Sequence, residues 1–241
     1  LKFFGERLLG HEFVPLRNRI TIEPSGYCNL ECKFCGYRKK EHGRVVMPNE
    51  EFADYIDQAA KLGFRDFSLT SSSGEIFFDK GATWKLDYLD NHPDVGNFQF
   101  YTNLVLPDDA IIEKIATYKK LSWLGLSIYG HDAESFTRIT GKPEKQYNLL
   151  VENLNRLADL GGVGRELFEI HLRTDRSFSW DPNDGVDDQS SDLVKAMHRA
   201  VHEGGVKRVG NWVIYDTWGG LVTPEDVADL DIELSDGSHQ P

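Results

Sequence analysis

The only cysteines in this 241-residue chain, Cys28, Cys32 and Cys35, lie together in the stretch GYCNLECKFCGY at 26–37. Thiolates are soft anionic ligands, and a group so closely spaced is suited to one metal centre. The same positions would also share a helix face as packed thiols, although Gly26, Asn29 and Gly36 favour a loop. A structural zinc ion needs a fourth ligand, and the nearest candidate, His42, fits none of the usual spacings. A disulfide would leave one thiol over and is disfavoured inside a cell. An iron–sulfur cluster normally takes four thiolates, so three would leave one iron open to a small molecule.

Composition narrows the surroundings of such a site. A formal charge of -12 argues against a sequence-independent grip on phosphate backbones, so nucleic acid is not an expected partner. The one basic cluster, YRKK at 37–40, reads as a solvated loop, with attraction of an anionic substrate or acidic electron donor as the second reading. No apolar run reaches the ~18 residues that span a bilayer, and the opening LKFFGERLLGHEF meets charge too early for a secretory signal. No membrane association and a cytoplasmic location are expected. The start at Leu1 reads as that of a fragment.

The elements that must position the cysteines follow from periodicity. Strand patterns occur at 19–25, 66–72, 97–103, 123–130, 167–174 and 208–216. Helical patterns separate them: MPNEEFADYIDQAAKLG with Asn49 as N-cap, GATWKLDYLDNH, PDDAIIEKIATYKKL, QYNLLVENLNRLADLGG and SSDLVKAMHRAVHEGG. Alternation of this kind predicts consecutive βαβ units and a parallel sheet. Within the strands, Phe67 and Leu69 alternate with Ser68 and Thr70, and Phe168, Ile170 and Leu172 with Glu169, His171 and Arg173. One face is apolar and suits outer helices; the polar face needs a wet or liganded lumen. The expected fold is therefore α/β, a partial (βα)6 TIM-like barrel of parallel strands with helices outside. Its reactive rim lies at the C-terminal strand ends, where the cysteine loop, Glu75, Asn103, Ser127, Arg138, Arg173, Asp175 and Asp216 converge.

CNLECKFC resembles the C-x3-C-x-aromatic-C signature of radical S-adenosylmethionine (SAM) enzymes, and the likeness extends over nearly the whole chain. The resemblance implies a 4Fe-4S cluster on Cys28, Cys32 and Cys35, with SAM chelating the fourth iron. It implies reductive cleavage to a 5'-deoxyadenosyl radical and hydrogen abstraction from a small-molecule or peptide substrate. The electron would come from a reducing partner such as flavodoxin or ferredoxin. Phe34 would lie near the adenine. SSSGEIFFD resembles a Gly-Gly-Glu-Pro motif of which Gly74 and Glu75 remain, Ser73 and Ile76 replacing the first glycine and the proline. Glu75 would take the SAM ammonium, and Asn103, from the Thr-Asn end of the third strand, would touch cofactor or substrate. Ser127 would reach the ribose or carboxylate, and Arg138 would pair with the carboxylate. Arg173 is a further candidate for the cofactor, with His171 beside it in the lumen.

YDTWGGLVTPEDV resembles the stretch that precedes a SPASM or Twitch extension bearing auxiliary clusters. The resemblance thus implies a lead-in at 1–18, a core barrel at 19–216 and a linker at 217–241 toward such an extension. The acidic loop at 175–191 is expected to be disordered rather than a lid. Two other functions compete: a glycyl-radical-type activase of a partner protein, disfavoured by the lack of extra cysteines, and a non-catalytic metal-binding barrel.

Overall fold

Six strands lie side by side in the order in which the chain makes them. They are β1 (Arg19–Thr21), β2 (Asp66–Leu69), β3 (Asn97–Thr102), β4 (Leu121–Tyr129), β5 (Phe168–Arg173) and β6 (Val206–Trp212), each parallel to its neighbour. The structure is a computed structural model and describes residues 18–41, 43–70, 74–161, 167–212 and 214–235. The lead-in expected at 1–18 falls, except for Asn18, outside the described residues, as do His42 and Ser73.

The crossovers carry α1 (Asn49–Lys61), α2 (Ala82–Asn91), α3 (Asp109–Thr117), α4 (Ala133–Thr140), α5 (Glu144–Asp159) and α6 (Asp192–His202). A strand order that never reverses keeps right-handed crossovers on one side of the sheet, which curls away from them. This is the partial (βα)6 barrel, with β1 and β6 as its open edges. The outward side chains Phe67, Leu69, Phe98, Phe100, Leu124, Leu126, Ile128, Ile170 and Leu172 are fully buried. Each contributes about 1.5–3 kcal/mol by leaving water. Among the described residues no helix is long and apolar enough to cross a membrane.

Several local expectations change. Pro48, not Asn49, precedes the first turn of α1, and no side chain caps it. Asn49 instead accepts a hydrogen bond from the buried Lys85 Nζ at 3.0 Å, and Lys85 pairs with the buried Asp79 at 2.5 Å. That Lys–Asp pair lies just past the Glu75 turn, at Ile76–Phe78, and ties it to α1 and α2. An additional helix, α4, has an Asp132/Ser135 capping box and ends at Gly141 in the left-handed region, φ 66°.

The polar face is less wet than its composition suggests. Ser68, Ser127 and His171 are buried, and Tyr101, Trp123, His171 and Trp212 pack into an aromatic floor with ring centroids 4.6–5.7 Å apart. Gly125 makes room for it: a Cβ there would lie 2.4 Å from Tyr101 and 2.6 Å from Trp123.

The stretch expected as one strand at 208–216 is two. β6 stops at Trp212, opposite Arg173, and β7 (Ile214–Asp216) pairs instead with β8 (Glu233–Ser235). Tyr215 is the cause: it is buried against Phe34 of the cysteine loop, ring centroids 4.4 Å apart. Residues expected as linker from 217 also pack on the barrel, burying Val222, Val227 and Leu230; residues 236–241 lie outside the described part. The acidic loop is likewise anchored, correcting the expectation of disorder. Trp180 is buried, and the backbone N–H groups of Arg176 and Ser177 donate to Asp231 at 2.7 and 2.9 Å.

Candidate functional site

A cavity of about 740 Å³ opens at the C-terminal ends of the strands. Cys28, Cys32 and Cys35 all line it, together with Phe34, Gly74, Glu75, Asn103, Ser127 and Arg173. Of the residues expected at the rim or in the lumen, Arg138, Asp175 and His171 do not line it. Arg138 is the one among them expected to bind the cofactor. It sits on α4 against Asp175 and Glu134, its Nε buried without a partner.

The cysteine loop is fixed at both ends. Ser25 and Val46 form an antiparallel bridge, and Gly26 N–H donates to Val45 O at 2.8 Å. Gly26 passes so close to Gly43 that a Cβ would lie 2.6 Å from its carbonyl oxygen. The middle of the loop borrows the end of α4, where carbonyls lack helical partners. Glu31 N–H donates to Thr140 O and Lys33 N–H to Ile139 O, both at 3.0 Å. The helix that carries Arg138 thus supports the cysteines rather than presenting its arginine to the cavity.

Around the sulfurs the donors are N–H groups. Leu30 N–H points at Cys28 Sγ and Tyr37 N–H at Cys35 Sγ, both at 3.4 Å, and the Asn103 amide lies 3.8 Å from Cys28 Sγ. Such donors stabilise thiolate and sulfide charge at iron–sulfur centres. Burial pushes the Cys28 thiol up to about 12, with Glu75 adding to it. Burial, then the neighbouring thiols, raises Cys32 well above the ordinary range. Three such thiols lose their protons when a cationic centre takes their place.

Among the described residues, no three His, Cys, Asp or Glu side chains converge as ligands of a single ion. The three thiols line one cavity, and a set of thiolate donors with N–H groups aimed at two of the sulfurs fits an iron–sulfur cluster.

Glu75 faces the cysteines from the end of β2. Its Oε1 accepts from Thr102 Oγ1 at 2.7 Å and Phe77 N–H at 3.3 Å, and its Oε2 from Asn103 N–H at 2.7 Å. Burial raises its pKa to about 7 against the pull of these donors. Asn103 is held in turn: its amide donates to Asn29 Oδ1 at 2.8 Å and its Oδ1 accepts from Val105 N–H at 3.1 Å. The next residue, Leu104, is fully buried with φ 59°, a left-handed conformation unusual for leucine. Asn153 of α5 secures this turn by donating to Leu104 O and Pro107 O at 2.8 and 2.9 Å.

Across the cavity, the guanidinium of Arg173 lies 5.8 Å above the Trp212 ring and makes no ion pair or hydrogen bond with the described residues. Phe34 is buried between Tyr129 and Tyr215. Sequence reasoning missed Tyr129, Tyr215, Trp212 and Trp218 as cavity residues. An aromatic at a strand end or past the last barrel strand was the available signal.

A family model described as Radical SAM superfamily matches residues 22–177. No curated protein sequence matches the chain. Among solved structures, the chain resembles Streptococcus suis SuiB bound to S-adenosylmethionine, with TM-score 0.57 and 16% identity over 97% of this chain and 50% of that one. It also resembles anSMEcpe with bound AdoMet, with TM-score 0.51 and 17% identity over 65% and 42%. TYW1 with a lysine-pyruvate adduct bound gives TM-score 0.50 and 18% identity over 76% and 61%. At these identities the likeness is one of fold, and the chain spans between about two fifths and three fifths of the length of these proteins. With the family model covering well over half of its length, the chain belongs to the radical SAM superfamily, enzymes whose cofactors are a 4Fe-4S cluster and S-adenosylmethionine.

Proposed function

We propose that this chain is the catalytic core of a radical SAM enzyme acting by hydrogen abstraction on a small-molecule or peptide substrate. In this reading Cys28, Cys32 and Cys35 hold the cluster. The observation that carries it is that all three thiols line one cavity at the strand ends, with N–H donors aimed at Cys28 and Cys35. When bound, the reduced cluster would supply one electron to SAM, whose carbon–sulfur bond would break to give methionine and a 5'-deoxyadenosyl radical.

The protein's own residues bind and orient. Glu75 and Asn103 form a rigid acceptor and donor pair beside Cys28, suited to an ammonium and its neighbouring polar groups. Arg173, whose planar guanidinium has no ion pair among the described residues, is available to a carboxylate, the role that Arg138 was expected to fill. Ser127 and Gly74 offer small polar surface between them. Phe34, Tyr129 and Tyr215 make an apolar wall that limits water beside the cysteines. An external one-electron reductant, of the flavodoxin or ferredoxin kind, completes the scheme.

Anaerobic reconstitution with iron and sulfide tests the reading. About four irons per chain and dithionite-dependent release of 5'-deoxyadenosine are expected, both lost in Cys32→Ala. Zinc in place of iron, with no cleavage of SAM, would overturn it in favour of a non-catalytic metal-binding barrel.

A further inference from the structure

Residues beyond the last barrel strand close over the cysteine loop. Trp218 Nε1 donates to Phe34 O at 3.1 Å, one residue before Cys35. Its ring lies so close to Gly36 that a Cβ there would be 2.9 Å from it, so only glycine lets the indole down onto the loop. Trp218 adopts φ 55°, and Gly219 and Gly220 continue at 66° and 89°. A bulky residue in the left-handed region is strained and persists only where its surroundings hold it. Its backbone N–H is held by Asp216 Oδ1, and Val222 N–H donates to Thr217 O at 2.9 Å. Two ion pairs join the same two segments: Lys33 with Asp229, and Lys39 with Asp226 at 2.7 Å. Part of the basic cluster beside the cysteines is thereby matched by acidic residues of this segment.

We infer that Trp218 is a positioning residue for the cysteine loop, its indole holding Phe34 and Gly36 so that the three thiols stay in the geometry a cluster requires. The role in cluster retention rests on the assignment of Cys28, Cys32 and Cys35 as ligands. The clamp itself does not. Tyr215 and the ion pairs Lys33–Asp229 and Lys39–Asp226 assist it by holding the segment down. A phenylalanine at 218 keeps the ring on Gly36 but gives up the hydrogen bond to Phe34, which separates the two contacts.

The test compares wild type, Trp218→Ala, Trp218→Phe and Asp226→Asn/Asp229→Asn. The first readout is the rate at which Ellman's reagent modifies the thiols of the folded, metal-free protein. The second is the rate at which an iron chelator strips the reconstituted protein, and the third is thermal stability by circular dichroism. Trp218→Ala is expected to raise both rates at least about tenfold, the scale of losing one hydrogen bond and its packing. Trp218→Phe should fall between it and wild type. The double aspartate variant should raise both rates less, and its effect should vanish in high salt.

Unchanged thiol and chelation rates in Trp218→Ala would overturn the proposal. So would rates that rise only in proportion to a fall in thermal stability across all variants. If Trp218→Ala does not fold, Trp218→Phe decides by the same two rates. Failure of wild type to take up iron would count against the ligand assignment, and thiol modification would still decide the clamp.

Discussion

Both oxygens of Glu75 face hydrogen-bond donors, so the site demands a carboxylate and not merely a polar group of that shape. Glu75→Gln has to aim its amide N–H₂ at Thr102 or at Asn103 N–H. It is expected to cost about 1–3 kcal/mol of stability, read from urea midpoints at neutral pH. A change under about 0.5 kcal/mol would mean that the carboxylate is not so bound. The two arginines are predicted to behave differently. Arg173→Gln should weaken SAM binding about ten- to a hundredfold in equilibrium dialysis, as loss of a charged hydrogen bond does. Arg138→Gln, which frees the buried Asp175, should lower stability and leave SAM affinity within about threefold. The reverse ranking would restore the role expected for Arg138. At this scale the gathering of the cysteines, Glu75 and Asn103 around one cavity was legible, because each lies in a short motif at a strand end. The pairing of Arg138 was not, because its partner, Asp175, lies 37 residues away in sequence.

The polar face of the barrel is kept in order by the elements that close it. Gly125, in the middle of β4, is the position at which the aromatic floor touches the sheet. Gly125→Ala is therefore predicted to destabilise the protein by about 1–3 kcal/mol through overpacking, and to change the near-ultraviolet circular dichroism of Tyr101 and Trp123. An unaltered spectrum would show that the floor is looser than it looks. Alternation with a period of two made the strand faces legible, and the outward positions are the buried ones. The break between β6 and β7 showed in the sequence only as a fault in the alternation, where Trp212 and Ile214 share a face with Asp216. What ends β6 is tertiary: Tyr215 is drawn to Phe34, and β8 offers β7 a new partner. Asn49 illustrates the same limit, since a good N-cap residue is taken by the buried Lys85.

At the scale of the molecule, six parallel strands, an outer layer of helices and a closing C-terminal segment bring residues from position 28 to position 235 around one cavity. The barrel was legible from the repeating strand–helix pattern. The closing segment was not, since its polar composition read as a linker while Val222, Val227 and Leu230 are spent on burial. The central claim is that three cysteines leave one iron for SAM. Electron paramagnetic resonance of the dithionite-reduced, reconstituted protein tests it most directly. Adding SAM is predicted to change the spectrum of the reduced cluster in wild type, and by less at equal SAM in Arg173→Gln. A spectrum unaffected by saturating SAM, from a cluster already ligated by the protein at every iron, would contradict the account.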